Sequence, residues 1–190
     1  MKKILLIALI IICFGFASKT KAQFDFIGGG IVLATGGEYK LNGYPYYNKS
    51  FGINIRASYN YNKKLKIVPD LNIYLPKSEE FATGGSSKTT VVAFNLNGHY
   101  IINHKTRESY RVYLLAGAHV SGWSIQDSRT LSFGPVSELE VKEFKFVVGA
   151  NIGGGMELQV SNQLKFFAEV KYVISTSKQL AFNPGLIYEF

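Results

Sequence analysis

Twelve consecutive residues decide the fold, and they read Phe51-Gly52-Ile53-Asn54-Ile55-Arg56-Ala57-Ser58-Tyr59-Asn60-Tyr61-Asn62. Apolar or aromatic side chains occupy every odd position, and glycine or polar side chains occupy every even position. Because successive residues of a strand face opposite sides of a sheet, this period of two predicts a strand with one apolar and one polar face.

A second alternating run, residues 65–75, follows after only three residues, so the two runs are predicted to form a tight hairpin. If the apolar faces stay together, Arg56 lies directly opposite Asp70, and Asn54 lies opposite Asn72. The phase alone therefore predicts an opposite-charge pair on the polar face of the hairpin.

Further runs of the same kind bring the number of predicted strands to eight, over residues 24–34, 51–62, 65–75, 90–102, 110–120, 144–160, 164–174 and 180–190. The first run is rich in glycine and less clearly phased. The phase of the later strands predicts three further cross-strand pairs: His99 with Tyr113, Lys165 with Glu189, and Lys171 with Asn183. The sequence thus predicts an all-β chain of antiparallel strands.

The connections between these strands alternate in length. Short turns are predicted at 62–64, 103–109 and 161–163, and long loops at 35–50, 76–89 and 121–143, with 175–178 as a short exception. Turns on one rim and long loops on the other are typical of membrane barrels, with the turns in the periplasm and the loops outside.

Aromatic side chains of the apolar face collect at the ends that the short turns join. They are Phe24, Phe26, Tyr59, Tyr61, Tyr100, Tyr110, Phe166, Tyr188 and Phe190. An aromatic ring with one wet and one apolar end prefers the boundary of a membrane, so these residues are predicted to form an interfacial girdle.

The last eight residues are Asn183-Pro184-Gly185-Leu186-Ile187-Tyr188-Glu189-Phe190. Their order of a polar residue, a glycine, an aromatic residue and a terminal Phe resembles the C-terminal assembly signal of Gram-negative outer-membrane β-barrel proteins. The resemblance implies that Asn183, Gly185, Tyr188 and Phe190 act as the signal for the barrel-assembly machinery. It also implies an eight-stranded antiparallel up-and-down transmembrane β-barrel in outer-membrane lipid, similar to the OmpA- and OmpX-type barrels.

The N-terminus has the features of a secretory signal peptide. A basic start at Lys2 precedes an apolar run over residues 4–16, and the small residue Ala22 precedes the expected cleavage. Residues 1–22 are therefore predicted to be removed, which leaves 23–190 as a single outer-membrane barrel domain.

Composition excludes several classes of function. Removal of residues 1–22 takes four lysines, which lowers the formal net charge from +8 to +4, and no basic cluster suggests binding of nucleic acid. The only cysteine, Cys13, lies in the signal segment, so the exported chain has no disulfide framework.

The polar face carries charged residues from several strands. In a closed barrel they are predicted to form a lumen charge network of Arg56, Asp70, Lys145, Glu157, Lys165, Glu169, Lys171 and Glu189. Eight strands enclose an interior that side chains can fill, so a filled lumen is favoured over an ion path.

Catalytic and metal-binding patterns are weak. His99 and His119 share the polar face of adjacent strands but are too far apart along it to hold one metal. The segment His119-Val120-Ser121 resembles the lipid A deacylases over three residues only, without a third member. The glycine triplets 28–30 and 153–155 lack the rest of a phosphate-binding motif. No enzyme activity, cofactor or metal is expected.

A structural or surface-interaction role in the outer membrane follows as the expected function, with an extracellular ligand at the long loops. Two alternatives stay open at this point: a narrow porin-like channel, and a soluble exported barrel that holds a ligand in an apolar interior, as lipocalins do.

Overall fold

The computed structural model describes residues 24–41, 44–48, 50–80, 85–103, 109–131 and 137–190, so the predicted signal peptide lies outside the described residues. The described residues form eleven strands: β1 (Phe26–Thr35), β2 (Gly37–Leu41), β3 (Tyr44–Asn48), β4 (Phe51–Asn60), β5 (Leu65–Tyr74), β6 (Lys77–Glu80), β7 (Gly85–Ile101), β8 (Tyr110–Leu131), β9 (Ser137–Gln159), β10 (Leu164–Ser175) and β11 (Gln179–Glu189). Within these ranges, no helix is long and apolar enough to cross a membrane.

Eight of these strands close into a barrel: β1, β4, β5, β7, β8, β9, β10 and β11. Each pairs antiparallel with the next along the chain, and β1 pairs with β11 to close the ring. Both described chain ends and the turns at 62–64 and 161–163 lie on one rim, where the Phe190 amide donates to the Asp25 carbonyl at 3.2 Å. We call this the terminal rim and the opposite one the loop rim. The predicted eight-stranded antiparallel barrel is confirmed.

The barrel wall is apolar outside and polar inside. Ile53 and Leu114 on the outer surface are each 58% exposed, whereas Asn54 on the inner surface is fully buried. This arrangement contradicts the lipocalin-like alternative, because that fold requires the apolar face inside. An apolar outer wall is stable only against another apolar phase, such as the hydrocarbon layer of a membrane.

The predicted register is confirmed in the first hairpin and is wrong by two residues in two later strand pairings, β7 with β8 and β10 with β11. Arg56 lies opposite Asp70, and Asn54 opposite Asn72, as expected. His99, however, lies opposite Leu115 instead of Tyr113. A shift of two residues keeps every side chain on its face, so the alternation cannot detect it.

The register of β10 against β11 also differs from the predicted one by two residues. Lys165 lies opposite Ile187, and Lys171 lies opposite Ala181. Lys165 nevertheless reaches Glu189 diagonally, with its Nζ atom 2.5 Å from the carboxylate Oε2. The expected ion pair therefore forms although the two residues are not directly opposite.

The predicted long loops are mostly strands. Residues 37–48 contain the hairpin β2–β3, β6 pairs with the first residues of β7, and β8 and β9 continue together to Leu131 and Ser137. The outer halves of β7, β8 and β9, together with β6, form a sheet that extends beyond the barrel, which we call the extended sheet. Its outward face is polar, and its buried inward face also carries polar residues such as Ser87, Thr89 and Asp127, so its sequence lacks the apolar alternation by which the barrel strands were recognised.

Phe26 was wrongly assigned to the outer aromatic girdle. It is 2% exposed and lies inside the barrel, while its neighbour Ile27 is on the outer wall at 51% exposure. Glycines at 28–30 obscure the alternation of this strand, which explains the error. Seven predicted girdle residues of the terminal rim are exposed: Phe24, Tyr59, Tyr61, Tyr100, Tyr110, Tyr188 and Phe190.

Candidate functional sites: the filled lumen and the extended sheet

Asp70 is the centre of the polar network in the lumen. Its carboxylate accepts two hydrogen bonds from Lys171 Nζ, both at 3.0 Å. It also accepts from the side-chain amides of four asparagines on three strands, at distances between 2.7 and 3.4 Å: Asn54, Asn72, Asn95 and Asn97. A buried carboxylate needs such donors, because burial removes the water that would otherwise solvate it.

Glu169 is a second acidic centre on β10. The two terminal nitrogens of Arg56 donate to its two oxygens at 3.0 and 3.3 Å, which is a bidentate pairing. The Tyr113 hydroxyl donates to the same carboxylate at 3.1 Å, and Lys171 Nζ lies 3.7 Å away. Lys171 therefore lies between the two acidic centres and connects them.

Two further ion pairs lie closer to the terminal rim. Lys66 donates to both oxygens of Glu157 at 2.8 and 2.7 Å, and both side chains are almost fully buried. Lys165 pairs with Glu189, whose side chain is partly exposed at the rim. Each of the four acidic side chains in this part of the lumen thus has a cationic partner.

The structure brings together seven of the eight predicted network residues. Arg56, Asp70, Glu157, Lys165, Glu169, Lys171 and Glu189 share the inner face of the barrel and its ion pairs. Lys145 lies apart from them: its side chain is 47% exposed, and its Nζ is 2.7 Å from Glu143. At Lys145, β9 extends beyond the barrel. The residue is therefore in the polar phase of its strand, as predicted, but the barrel does not enclose its side chain.

Sequence reasoning missed three side chains of the network. Lys66 is in phase with Asp70, so its position on the polar face was visible although its partner on β9 was not. His99 and Tyr113 stack with ring centroids 4.3 Å apart and lie against Glu169. The phase had already paired His99 with Tyr113, and the two rings stack although they are not directly opposite. Their contact with Glu169 was not predictable, because it depends on which strands face each other across the lumen.

Apolar side chains close the lumen on both sides of the polar network. Phe26, Phe167 and Ile187 form one cluster towards the terminal rim. A larger cluster towards the loop rim contains Val32, Ala34, Tyr74, Val91, Ala93, Trp123, Val147 and Ala181. The Arg56–Glu169 and Asp70–Lys171 pairs lie between these two clusters, whereas the Lys165–Glu189 pair lies at the terminal rim.

Glycines on the inner wall make space for the aromatic rings. A Cβ atom on Gly155 would lie 2.5 Å from the Tyr113 hydroxyl, and one on Gly185 would lie 2.6 Å from the Phe167 ring. The Phe167 ring in turn supports the guanidinium of Arg56, whose carbon Cζ lies 3.8 Å above the ring centroid. The glycines thus serve close packing, as expected for a narrow barrel.

His119 and Ser121, which resemble part of a deacylase site, are buried in the lumen and occupied by structural contacts. His119 Nδ1 is 2.7 Å from the Asn95 side-chain oxygen, and Trp123 Nε1 donates to the Ser121 hydroxyl at 3.1 Å. Across the described ranges, no group of three or more His, Cys, Asp or Glu residues has the geometry of a metal site. His104 lies outside the described residues.

The extended sheet is the second candidate site, and the hairpin β2–β3 is joined to it. The Tyr46 hydroxyl donates to Asp127 Oδ2 at 2.7 Å, and the Tyr46 side chain packs on Ile125. Tyr46 and Asp127 are 3% and 5% exposed. The side chains that the structure describes on this rim offer a surface of mixed charge, with Glu38, Lys40, Lys77, Glu79, Lys88 and Lys142 among them.

The four residues of the predicted assembly signal lie on two faces of β11. Asn183 is inside the barrel and donates to Glu169 at 3.4 Å, and Gly185 lies beneath the Phe167 ring. Tyr188 and Phe190 are outside, with their rings in an edge-to-face contact at 5.8 Å between centroids. Phe190 is 74% exposed, so its side chain is accessible at the terminal rim.

Solved structures with the same architecture include the outer-membrane protein OprG from Pseudomonas aeruginosa. It is 15% identical, with a TM-score of 0.62, and the match covers 88% of this chain and 96% of OprG. The chain has the fold of the small outer-membrane β-barrels.

Two further solved barrels support this assignment. The attachment invasion locus protein Ail of Yersinia pestis matches this barrel with 16% identity and a TM-score of 0.57, over 87% of this chain and 97% of Ail. Neisserial surface protein A matches with 17% identity and a TM-score of 0.54, over 87% and 96% of the two chains. No protein-family model and no curated protein sequence matches the chain. At such identities the likeness establishes the fold alone.

Proposed function

We propose that this chain is an integral outer-membrane protein that binds a partner outside the cell through the extended sheet and the hairpin β2–β3. The protein is exported by residues 1–22 and assembled through the signal that ends at Phe190. The lumen serves stability and does not transport a solute.

The observation that carries this proposal is the contrast between the lumen and the loop rim. The lumen is filled by paired charges and by two apolar clusters. The strands β8 and β9, in contrast, continue as a paired ribbon from the barrel to Leu131 and Ser137. A barrel that served only as a membrane anchor would not need this extension.

The extended sheet has the properties of a rigid binding platform. Its strands are hydrogen-bonded across β6, β7, β8 and β9, and the Tyr46–Asp127 hydrogen bond attaches the hairpin to it. Binding to a pre-ordered surface avoids the entropic cost of ordering a loop. The similar barrel Ail has been crystallised in complex with the heparin analogue sucrose octasulfate. A polyanionic glycan is therefore a suitable first probe for this chain.

The test is a truncation that removes the platform and keeps the barrel. Residues 125–143 are replaced by an Asn-Gly turn, which favours a two-residue hairpin between β8 and β9. Cells that express the intact protein are expected to adhere to heparin-coated beads and to a panel of host-cell surfaces, and cells with the truncated protein are expected to lose this adhesion. The truncated protein should keep heat-modifiable gel mobility, which shows that the barrel is folded.

Two results would refute the proposal. Equal adhesion with intact and truncated protein on every surface would remove the platform from the function. Single-channel conductance of the intact protein in a planar bilayer, abolished by Arg56→Gln, would instead establish the porin-like alternative.

A further inference from the structure

The outer wall of β7, β8 and β9 changes from apolar to charged at a single height. The last apolar row across the three strands consists of Val92, Gly122 and Phe146. The Val92 and Phe146 side chains are exposed on the outside. Four residues further from the barrel along each strand, the outward row consists of Lys88, Gln126 and Lys142. A Phe144 ring lies between the two levels and makes an edge-to-face contact with Phe146. The boundary thus falls in the same register on three strands.

This charged row has the position of lipid headgroups if the apolar wall is in a membrane. Lys88 and Lys142 are two strands apart, which is roughly 10 Å at the usual strand spacing. Both side chains are exposed, and the exposed Gln126 amide lies between them. Flexible lysines at this distance can reach the same phosphorylated headgroup.

A concavity lies beside the row on the same wall. Its volume is about 250 Å³, and the outward side chains that line it are Ser78, Ser86, Lys88, Gln126 and Ser128. Asp127 also borders it, but the alternation of β8 turns that carboxylate to the opposite face, where Tyr46 donates to it. The outward lining therefore consists of hydroxyls, an amide and a cation, which suit an anionic oxygen ligand.

We propose that this part of the outer wall is a binding site for a phosphate-bearing lipid of the surrounding leaflet. Lys88 and Lys142 bind the phosphate, Gln126 and the serine hydroxyls bind neighbouring headgroup oxygens, and the acyl chains pack against Val92 and Phe146. A lipid is preferred over a soluble phosphate because the apolar wall begins two outward rows below the charged row, with the Phe144 ring in the row between them. The site goes beyond the proposed function, because its ligand is a lipid of the surrounding leaflet and not a partner outside the cell, although Lys88 and Lys142 also belong to the extended sheet.

The experiment uses the full purified protein in detergent, with bound lipids counted by native mass spectrometry. The probes are phosphatidylglycerol, diacylglycerol with the same chains, and inorganic phosphate. The wild-type protein is expected to retain phosphatidylglycerol in preference to diacylglycerol. The K88Q/K142Q variant is expected to bind phosphatidylglycerol about fivefold more weakly for each lysine removed.

The control variant is K40Q/K178Q, which makes the same change of charge on the same rim but away from the row. It should retain phosphatidylglycerol within twofold of the wild type. Equal retention by K88Q/K142Q and wild type, or equal retention of diacylglycerol and phosphatidylglycerol, would overturn the proposal. Displacement of the lipid by inorganic phosphate at similar concentration would also overturn it, because the site would then recognise a soluble anion. Unchanged heat-modifiable mobility of both variants shows that the comparison concerns folded barrels.

Discussion

Asp70→Asn removes one negative charge from the centre of the lumen with almost no change in shape. Lys171, which is 1% exposed, then loses the carboxylate that accepts from it at 3.0 Å. Its nearest remaining acid is Glu169 at 3.7 Å, which Arg56 already binds through two hydrogen bonds. The substitution therefore leaves a buried ammonium group without a carboxylate of its own.

Removing one partner of a buried ion pair costs about 3–5 kcal/mol in unfolding free energy, because the other charge remains desolvated. The opposite change, Lys171→Met, should cost less, because Asp70 keeps four asparagine amide donors. The double variant D70N/K171M should be more stable than D70N alone, since it contains neither of the two charges. This order of stabilities follows from the unequal number of partners that the two residues have.

The assay is urea unfolding of the refolded protein in zwitterionic vesicles. Trp123, the only tryptophan of the chain and 1% exposed, reports unfolding by its fluorescence. Heat-modifiable gel mobility gives an independent measure of the folded fraction. The control is Glu79→Gln, which breaks the Lys77–Glu79 pair of 2.6 Å on the loop rim. That pair is partly exposed, so its loss should cost less than about 1 kcal/mol.

The reasoning would be refuted if the unfolding free energy of D70N were within about 1 kcal/mol of the wild-type value, as expected for an exposed pair. So would a double variant less stable than D70N, because the two substitutions would then act independently of the ion pair.

Three further predictions concern packing, the loop rim and assembly. Gly155→Ala places a Cβ atom 2.5 Å from a tyrosine hydroxyl and 2.7 Å from a backbone carbonyl, so it should destabilise the barrel by about 1–3 kcal/mol. In the same urea assay Gly98→Ala, whose Cβ meets nothing closer than 3.7 Å, should behave like the wild type. Tyr46→Phe removes the hydrogen bond that attaches the hairpin and should accelerate amide hydrogen exchange in β2 and β3. The control Tyr61→Phe at the terminal rim should leave this exchange unchanged. Equal exchange rates in the two variants would contradict the attachment. Deletion of Phe190 should reduce the amount of protein in the outer membrane while the purified chain still refolds in detergent, and an unchanged amount in the membrane would exclude Phe190 from the signal.

The sequence predicts those parts of the fold in which one face meets lipid and the other meets the lumen. In β4 and β5 the alternation is uninterrupted, and the Arg56–Asp70 pairing followed from phase alone. In β10 and β11 the same reasoning placed Lys165 opposite Glu189 and was wrong by two residues. Phase determines the face on which a residue lies, but it allows registers that differ by two residues. Turn geometry and packing must therefore select one of these registers.

The candidate sites were predictable to different degrees. Membership of the lumen network followed from the polar phase, but the partners across the lumen did not. Arg56 and Asp70 face each other in the ladder, yet Arg56 binds Glu169 and Asp70 binds Lys171. The extended sheet gave no apolar signal because polar residues occupy both of its faces: Lys88 is exposed on the outward face, and Ser87 and Asp127 are buried on the inward face.

The ion pairs of the lumen also bear on how the barrel folds. Arg56 and Glu169 are separated by 113 residues, Lys66 and Glu157 by 91, and Asp70 and Lys171 by 101, so each pair joins an early strand to a late one. A partly assembled sheet without its last strands would leave the charges of Arg56, Lys66 and Asp70 without these three partners, and the hydrocarbon layer penalises each unpaired charge. Insertion of an incomplete wall is therefore unfavourable, and the chain should enter the bilayer only as its two halves meet. The charges that stabilise the finished protein would then also act as a checkpoint against premature membrane entry.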